Sequence, residues 1–442
     1  MTDKPWAALT ADEKWDRRID RWRNPDIPFA SPEAEGDYKA RVDRLAAAFE
    51  LRRPDRVPIR LMIGLWPAVR AGMTALDAMS DPVRTSEVWL AFNQEFPLDT
   101  MTAPPMTASA MLEALDYRTY AWAGHGVAPE AMYQYVEKEW MFPEEYDHLI
   151  ADPTDYMLRV YVPRTVGAFA GFSSLRSIFS FIELPFVAGY TAGWGSPEFL
   201  AGLEMITAAA RHTIDWNNAM IPAIGQLMAM GFPGGAGGMS KAPFDILSDT
   251  LRGTKGIMLD MFRCPEKVLA ACERLVPAAV DMAVGRADDL PVPVVIFPLH
   301  KGADGFMNDE QFKTFYWPTL RQVLLRVIEE GVTPHLFAEG RYNSRLEMIM
   351  DLPKGKTVWH FDQTDMTRAK ETIGTVACLE GNVPLSLIHA GTPEEIAAYA
   401  RMLIDTAGEG GGYILNLGAG ADDGKIENLR ALIDTVMEYG VY

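Results

Sequence analysis

The sequence predicts an α/β protein: a closed (β/α)8 TIM barrel with an N-terminal helical extension. Three observations predict it. After residue 290, apolar strand segments alternate with amphipathic helical segments five times in about 150 residues, the pattern of parallel strands joined by crossovers. The chain has 442 residues, long for one ordinary domain and normal for an elaborated barrel. No G-x-G-x-x-G fingerprint opens a strand–helix unit, which disfavours an open, doubly wound sheet.

The elements follow in order. Residues 1–54 read as a helical extension, with Trp6, Trp15 and Trp22 along it and a clear amphipathic helix in KARVDRLAAAFE (39–50). Residues 55–442 form the barrel domain, opening on the Pro-flanked strand PDRVPIRLMIG. Residues 101–165 are rich in Met, Ala and Pro and read as an insertion or lid. GFPGGAGGMSKAPFD (231–245) is a glycine loop, either a lid or a flexible connection. Strands then fall at 290–300, 332–340, 357–365, 375–382 and 412–418. Helices fall at 310–331, 344–352, 366–374, 392–408 and 425–439, the fourth opening on a Thr cap with Pro in its first turn.

Composition excludes several classes. The net charge of −19 repels phosphate backbones and anionic lipid, so nucleic acid and membrane surfaces are excluded as partners. Cys264, Cys272 and Cys378 form no C-x-x-C pair, so neither a disulfide framework nor a thiolate zinc knuckle is available. The N-terminus lacks an apolar signal core, and no segment offers about 18 uninterrupted apolar residues, so a cytoplasmic location is expected. The strand–turn–helix YILNLGAGADDGKIENLRAL (413–432) invites a phosphate cradle. Its third glycine is one residue late, and Asp422 and Asp423 stand where a phosphate would rest.

Barrel chemistry sits at the C-terminal ends of strands. Those ends supply His300 and Lys301, then His335 and Glu339, then His360, Asp362 and Asp365, then Glu380 and Asn382, then Asn416. Three of the seven histidines thus fall on consecutive strand ends. Such a cluster suits a divalent metal held by imidazole and carboxylate, or acid–base work on an organic substrate. On the strand 357–365, His360 and Asp362 share one face, and Trp359 and Phe361 the other. Near the glycine loop, Lys241, Asp245 and Arg252 are further site candidates, or Arg252 and Asp249 form a structural pair.

GNVPLSLIHAGTPEEIAAYARMLID and GGGYILNLGAGADDGKIENLRALIDTVMEYG resemble the end of the uroporphyrinogen decarboxylase superfamily. RRPDRVPIRLMIG and EFPLD, ending at Asp99, fit its start. The resemblance spans roughly residues 40–442 and implies a (β/α)8 barrel, often a homodimer. The superfamily holds porphyrinogen decarboxylases and methyltransferases that exchange methyl groups with a corrinoid protein. The decarboxylases' MRQAGRY-type segment is replaced here by LMIGLWPAVRAG, their later aspartate falls near Met106, and their NLGHG histidine is Ala419. Without those cations an acidic chain is a poor host for a polyanionic tetrapyrrole. The thiol-activating methyltransferases hold zinc on His-x-Cys and a later Cys. His335 matches that histidine, whereas Phe337 and Ala419 replace the cysteines. HLFAEGRYNSRLE, HFDQTDM and KAPFDILSDTLRG resemble a branch associated with corrinoid-dependent transfer from methoxylated or methylated small molecules.

The expectation is therefore a methyltransferase that moves a methyl group between a small, methoxylated aromatic substrate and a corrinoid carried by a partner protein, since no D-x-H-x-x-G motif occurs here. A methyl ether is a poor donor until its oxygen is protonated or coordinated. His335, Glu339, His300 and Asp362 are the expected catalytic residues, and His360, Tyr342, Asn382 and Asn416 the expected substrate contacts. Any zinc would rest on His335, Glu339 and Asp362. The alternative is a lyase or decarboxylase on a non-porphyrin acid, which needs no corrinoid. A non-catalytic binding module is the third class.

Overall fold

A computed structural model describes residues 4–285 and 290–442. Of the helical extension at 1–54, residues 1–3 lie outside the described residues. Helix α1 (Ala11–Arg23) opens on a capping box, in which Thr10 accepts from Glu13 N and Glu13 accepts from Thr10 N. Helix α2 (Pro32–Phe49) is capped by Ser31, with Pro32 in its first turn, where a missing N–H costs nothing. Trp15, Trp22, Tyr38, Val42, Leu45 and Phe49 from these helices pack against Val292, Val294, Val358, Cys378 and Ile414 of the strand region. Burying each large apolar side chain contributes about 1.5–3 kcal/mol.

Three short strands, β1 (Tyr120–Ala123), β2 (Gly126–Val127) and β3 (Tyr133–Tyr135), form a small separate sheet. The main sheet is β4 (Gly238–Met239), β5 (Val294–Leu299), β6 (Thr333–Ala338), β7 (Val358–Phe361), β8 (Cys378–Glu380) and β9 (Tyr413–Ile414). Its strands lie in sequence order and every pair is parallel. Each of β5 to β8 is followed by helix or turn before the next strand, as the alternating pattern predicts. β6 and β7 are buried throughout, which suits parallel strands flanked on both faces, with Thr333, His335 and His360 as their buried polar residues.

Main-chain hydrogen bonds extend the sheet beyond both edges. Arg60 N donates to Leu415 O at 3.0 Å and Leu415 N to Pro58 O at 2.9 Å. Asp99 N donates to Ile59 O and Met101 N to Pro233 O, each at 2.9 Å, and Gly237 N and Ser240 N donate to Val294 O and Ile296 O of β5. Asp99 anchors this join: its buried carboxylate accepts from Arg44, Arg56 and the Ile59 N–H. The glycine stretch is built into the sheet here rather than standing off as a lid. A Cβ on Gly237 would lie 2.3 Å from Val292 O, so the close approach of these two segments requires glycine.

The excursion between Met101 and Pro233 is larger than the expected insertion. It holds the small sheet and a 33-residue helix, Pro197–Ala229. The helix expected at 344–352 is instead a run of turns. The segment is too short to stand as a helix alone. Buried Arg345 ties it down by donating to Gly302 O and, through its other nitrogens, to Met307 O and Asp309. The helix expected at 310–331 runs Asp309–Glu329 but widens into a five-residue π turn over Phe312–Tyr316, just before Pro318.

Candidate functional site

Strand alternation selects what faces the interior. On β7, Trp359 and Phe361 join the main hydrophobic core, while the His360 ring lies tilted against Phe337 and close to His335. Each neighbouring strand contributes one polar group at a similar depth: Arg60, His335 of β6, His360 of β7, Glu380 of β8 and Asn416 just past β9. His335 Nε2 donates to Glu380 Oε2 at 2.9 Å, and Asn416 Nδ2 donates to Oε1 at 2.5 Å. Arg60 Nη2 approaches His335 Nδ1 at 3.5 Å, and its Nε lies 3.8 Å from Glu380 Oε1. His360 Nε2 donates to Leu417 O at 2.7 Å, which leaves Nδ1 buried, unpartnered and 3.9 Å from Glu380 Oε1.

Burial and charge set the protonation here. Burial pushes His335 down, and Arg60 adds to that while Glu380 opposes it. His360 is pushed down to about 4, again chiefly by burial. Burial alone would raise Glu380, but Arg60 and His335 hold it below the usual carboxylate range. The cluster is therefore one carboxylate, one guanidinium and two neutral imidazoles.

A cavity of about 750 Å³ ends on this cluster. Arg60, His335 and Asn416 line its inner end, and Met62, Ile63, Met101, Met228, Val292 and Ile296 give it an apolar wall. Tyr38 of α2 lines it too. Among the described residues, Arg21 and Arg60 bring cations to it.

A second cluster sits where β5 and β6 end. His300 Nδ1 donates to Asp249 Oδ2 at 2.5 Å, and its Nε2 lies 3.4 Å from Glu339 Oε1. Lys241 Nζ donates to Asp249 at 2.7 Å, and Lys301 Nζ donates to Thr254. Buried Asp245 accepts the backbone N–H groups of His300 and Lys301 and the hydroxyl of Tyr316. Burial would lower His300, yet the hydrogen bonds to Asp249 and Glu339 overcome it and raise the imidazole to about 10. Asp245 is pushed up to about 6 by burial and by Asp249. The small sheet reaches this region: Tyr133 is about half exposed, and partial burial raises its hydroxyl, with Glu339 and Asp422 adding to it.

The expected constellation is thus divided. His335, His360 and Asn416 come together with Glu380, while His300 and Glu339 form the outer cluster. The set His335, Glu339 and Asp362 is not one donor set. Asp362 accepts from Gly340 N at 3.1 Å and lines a polar cleft with Arg341, Thr364 and Asn382. Among the described residues, the donors that converge within 4.8 Å are His335, His360 and Glu380. Asn382 donates to Asp362 O and Thr364 O and braces that loop. Tyr342 is fully buried, its hydroxyl donating to Leu299 O, so it is seated in the core rather than against the cavity. Arg252 pairs with Asp260 at 2.5 Å, not with Asp249. In the glycine turn, Asp422 accepts from Leu65 N at 2.8 Å and fills the space beside Gly64. Arg60 was absent from the sequence-derived set. Its signal is a lone charge alternating with Ile59 and Leu61 in a strand.

Among the described residues, no helix is long and apolar enough to cross a membrane. Residues 235–439 match the family described as Uroporphyrinogen decarboxylase (URO-D). A uroporphyrinogen decarboxylase of Coxiella burnetii is 32% identical over 79 residues, which cover 18% of this chain and 22% of that protein. One of Neisseria meningitidis is 31% identical over 140 residues, 30% of this chain and 38% of its own length. The chain therefore matches well under half of the length of these curated relatives. A solved methyltransferase from Methanosarcina mazei superposes with a TM-score of 0.56 at 16% identity, covering 90% of this chain and 98% of that one, a likeness of fold. The match to the uroporphyrinogen decarboxylase family thus spans residues 235–439, a little under half of the chain.

Proposed function

We propose that this protein is a methyltransferase that moves a methyl group between a small methoxylated aromatic molecule and a corrinoid held by a partner protein. The observation that carries this reading is the apolar cavity of about 750 Å³ ending on Arg60, His335 and Asn416. Its wall suits a neutral ring and is a poor match for a tetrapyrrole bearing many carboxylates. The methyltransferase likeness of the fold supports the same class. We read residues 55–442 as one closed (β/α)8 barrel, the segments at 58–60 and 99–101 joining the six strands β4 to β9 to make eight, with 1–54 as a helical extension. A homodimer rests on the superfamily resemblance.

The chain's own residues divide the work. The cavity wall holds the ring and excludes water. The donor oxygen rests beside the planar Arg60 guanidinium. As the methyl carbon–oxygen bond breaks, its electron pair stays on oxygen, and that growing charge is held by Arg60. His335, donating to Glu380, turns its Nδ1 towards Arg60 and orients it. A corrinoid, when bound by its partner protein, supplies the nucleophile that takes the methyl group. The strand ends, with exposed Tyr133 and Glu339, are the face offered to that partner.

The test is methylcobalamin formation from a panel of methoxybenzenes and free cob(I)alamin, followed by absorbance. Wild type should turn over, and His335→Ala should fall by about 100-fold, the order expected for a lost positioning contact. Consumption of substrate without methylcobalamin would favour the lyase reading, and no transfer across the panel would overturn this one.

A further inference from the structure

The thiol-activating relatives implied a zinc ion, and this chain keeps three donors that converge. His335 Nε2, a Glu380 oxygen and a His360 nitrogen lie within 4.8 Å of one another. His360 Nδ1 is buried without a hydrogen-bond partner. On donor count alone, a divalent cation would fit. The charge count says otherwise. A zinc ion on two thiolates is neutral, whereas here Phe337 and Ala419 stand at the positions that resemble the thiolate pair. Glu380 is the one anion in the cluster, and the Arg60 guanidinium already faces it, 3.8 Å from Oε1 and 3.5 Å from His335 Nδ1. Glu380 is fully buried and Arg60 nearly so. A divalent ion added beside that guanidinium would leave two uncompensated positive charges in the interior, a large cost at low dielectric. The residues present do not fit the metal while Arg60 is among them.

We propose that Arg60 stands in place of a metal ion: it supplies the positive charge at the end of the cavity, and its removal turns His335, His360 and Glu380 into a divalent-metal site. The guanidinium offers planar N–H donors where a Lewis acid would otherwise meet the substrate oxygen. That role rests on the methyl-transfer reading. The metal exclusion does not, because it is read from metal content rather than turnover.

The experiment incubates the full-length protein with zinc chloride, desalts it and counts metal by mass spectrometry. Wild type should retain no stoichiometric zinc. Arg60→Met should retain about one zinc per chain, and with Co(II) in its place should show the visible absorption of a low-coordinate N/O site. Adding His360→Ala to that variant should abolish both signals. Arg60→Lys, which keeps the charge, should stay empty. Stoichiometric zinc in wild type, lost on Glu380→Gln, would overturn the proposal. So would a folded Arg60→Met protein that takes up no metal. Should Arg60→Met not fold by circular dichroism, Arg60→Gln reads the same quantity, and the wild-type count is decisive either way. Failure of methyl transfer alongside zinc uptake by Arg60→Met would remove the methyltransferase reading and leave the exclusion standing.

Discussion

The inner and outer clusters use the same residue type to opposite ends. His335 and His360 are held neutral, His360 pushed down to about 4. His300 is raised to about 10. Burial presses all three downwards, so burial alone does not explain the split. The difference is which cations and anions stand beside the ring. In the inner cluster, Glu380 is claimed by Arg60 and by Asn416, and Arg60 also opposes charge on His335. In the outer cluster, His300 has Asp249 at 2.5 Å on one nitrogen and Glu339 at 3.4 Å on the other. Lys241 also pairs with Asp249, so a cation on the carboxylate does not decide the matter; His300 is an imidazolium because carboxylates meet both of its nitrogens and, among the described residues, no arginine faces the ring.

The hardest way to break this comparison is to remove the inner anion. Glu380→Gln leaves the Arg60 charge buried without its counter-ion. Breaking a buried pair from one side costs about 3–5 kcal/mol, so the denaturant midpoint should fall sharply. The double variant Arg60→Met, Glu380→Gln should recover part of that loss, because no lone charge remains. Equal stability of the single and double variants would mean that Arg60 and Glu380 are not coupled.

The outer cluster breaks by pH. A histidine raised from its ordinary 6.5 to about 10 gives stability that is complete below about pH 6.5 and is lost as pH rises through about 10. Wild type should therefore lose stability across that window. Asp249→Asn removes the closest anion, so His300 should titrate nearer its ordinary value by NMR and the slope should flatten. The loss at neutral pH should be about 1 kcal/mol, the scale of a partly exposed pair. An unchanged His300 titration would mean that Asp249 does not hold the proton. The inner histidines should stay silent over the same range.

The split also explains how far the sequence could be read. Alternation gave the strands and set His360 apart from Trp359 and Phe361, which join the hydrophobic core. Thr392 followed by Pro393 marked a helix start that the structure keeps, with Glu395 completing a capping box. The run at 344–352 misled because an amphipathic look does not show that Arg345 spends its donors on Gly302 O and Met307 O. The three histidines lie on consecutive strands, yet strand order is not depth. His335 pairs in register with Ile296, and His300 lies four residues further along the same strand line. At about 3.3 Å per residue that is about 13 Å, enough to place them in different clusters. Arg60 escaped notice because one arginine in a strand looks like a surface residue until its face is known.

The smallest effect sharpens the comparison most. Glu339 is 45% exposed and meets His300 at 3.4 Å, against 2.5 Å for Asp249. Solvent screens it, and its longer contact transfers less charge. Glu339→Gln should thus lower the His300 titration point by less than Asp249→Asn does and cost at most about 0.5 kcal/mol at neutral pH. The effect should fade in high salt, whereas the Asp249 effect should persist because that carboxylate is mostly buried. If instead Glu339→Gln moved His300 as far as Asp249→Asn, the proton would belong to the exposed side of the ring. The imidazolium would then face whatever docks at the strand ends. If it moved His300 little, the ring's charge is fixed from within the fold, and Glu339 is left as an acceptor that can let go when a partner or substrate arrives.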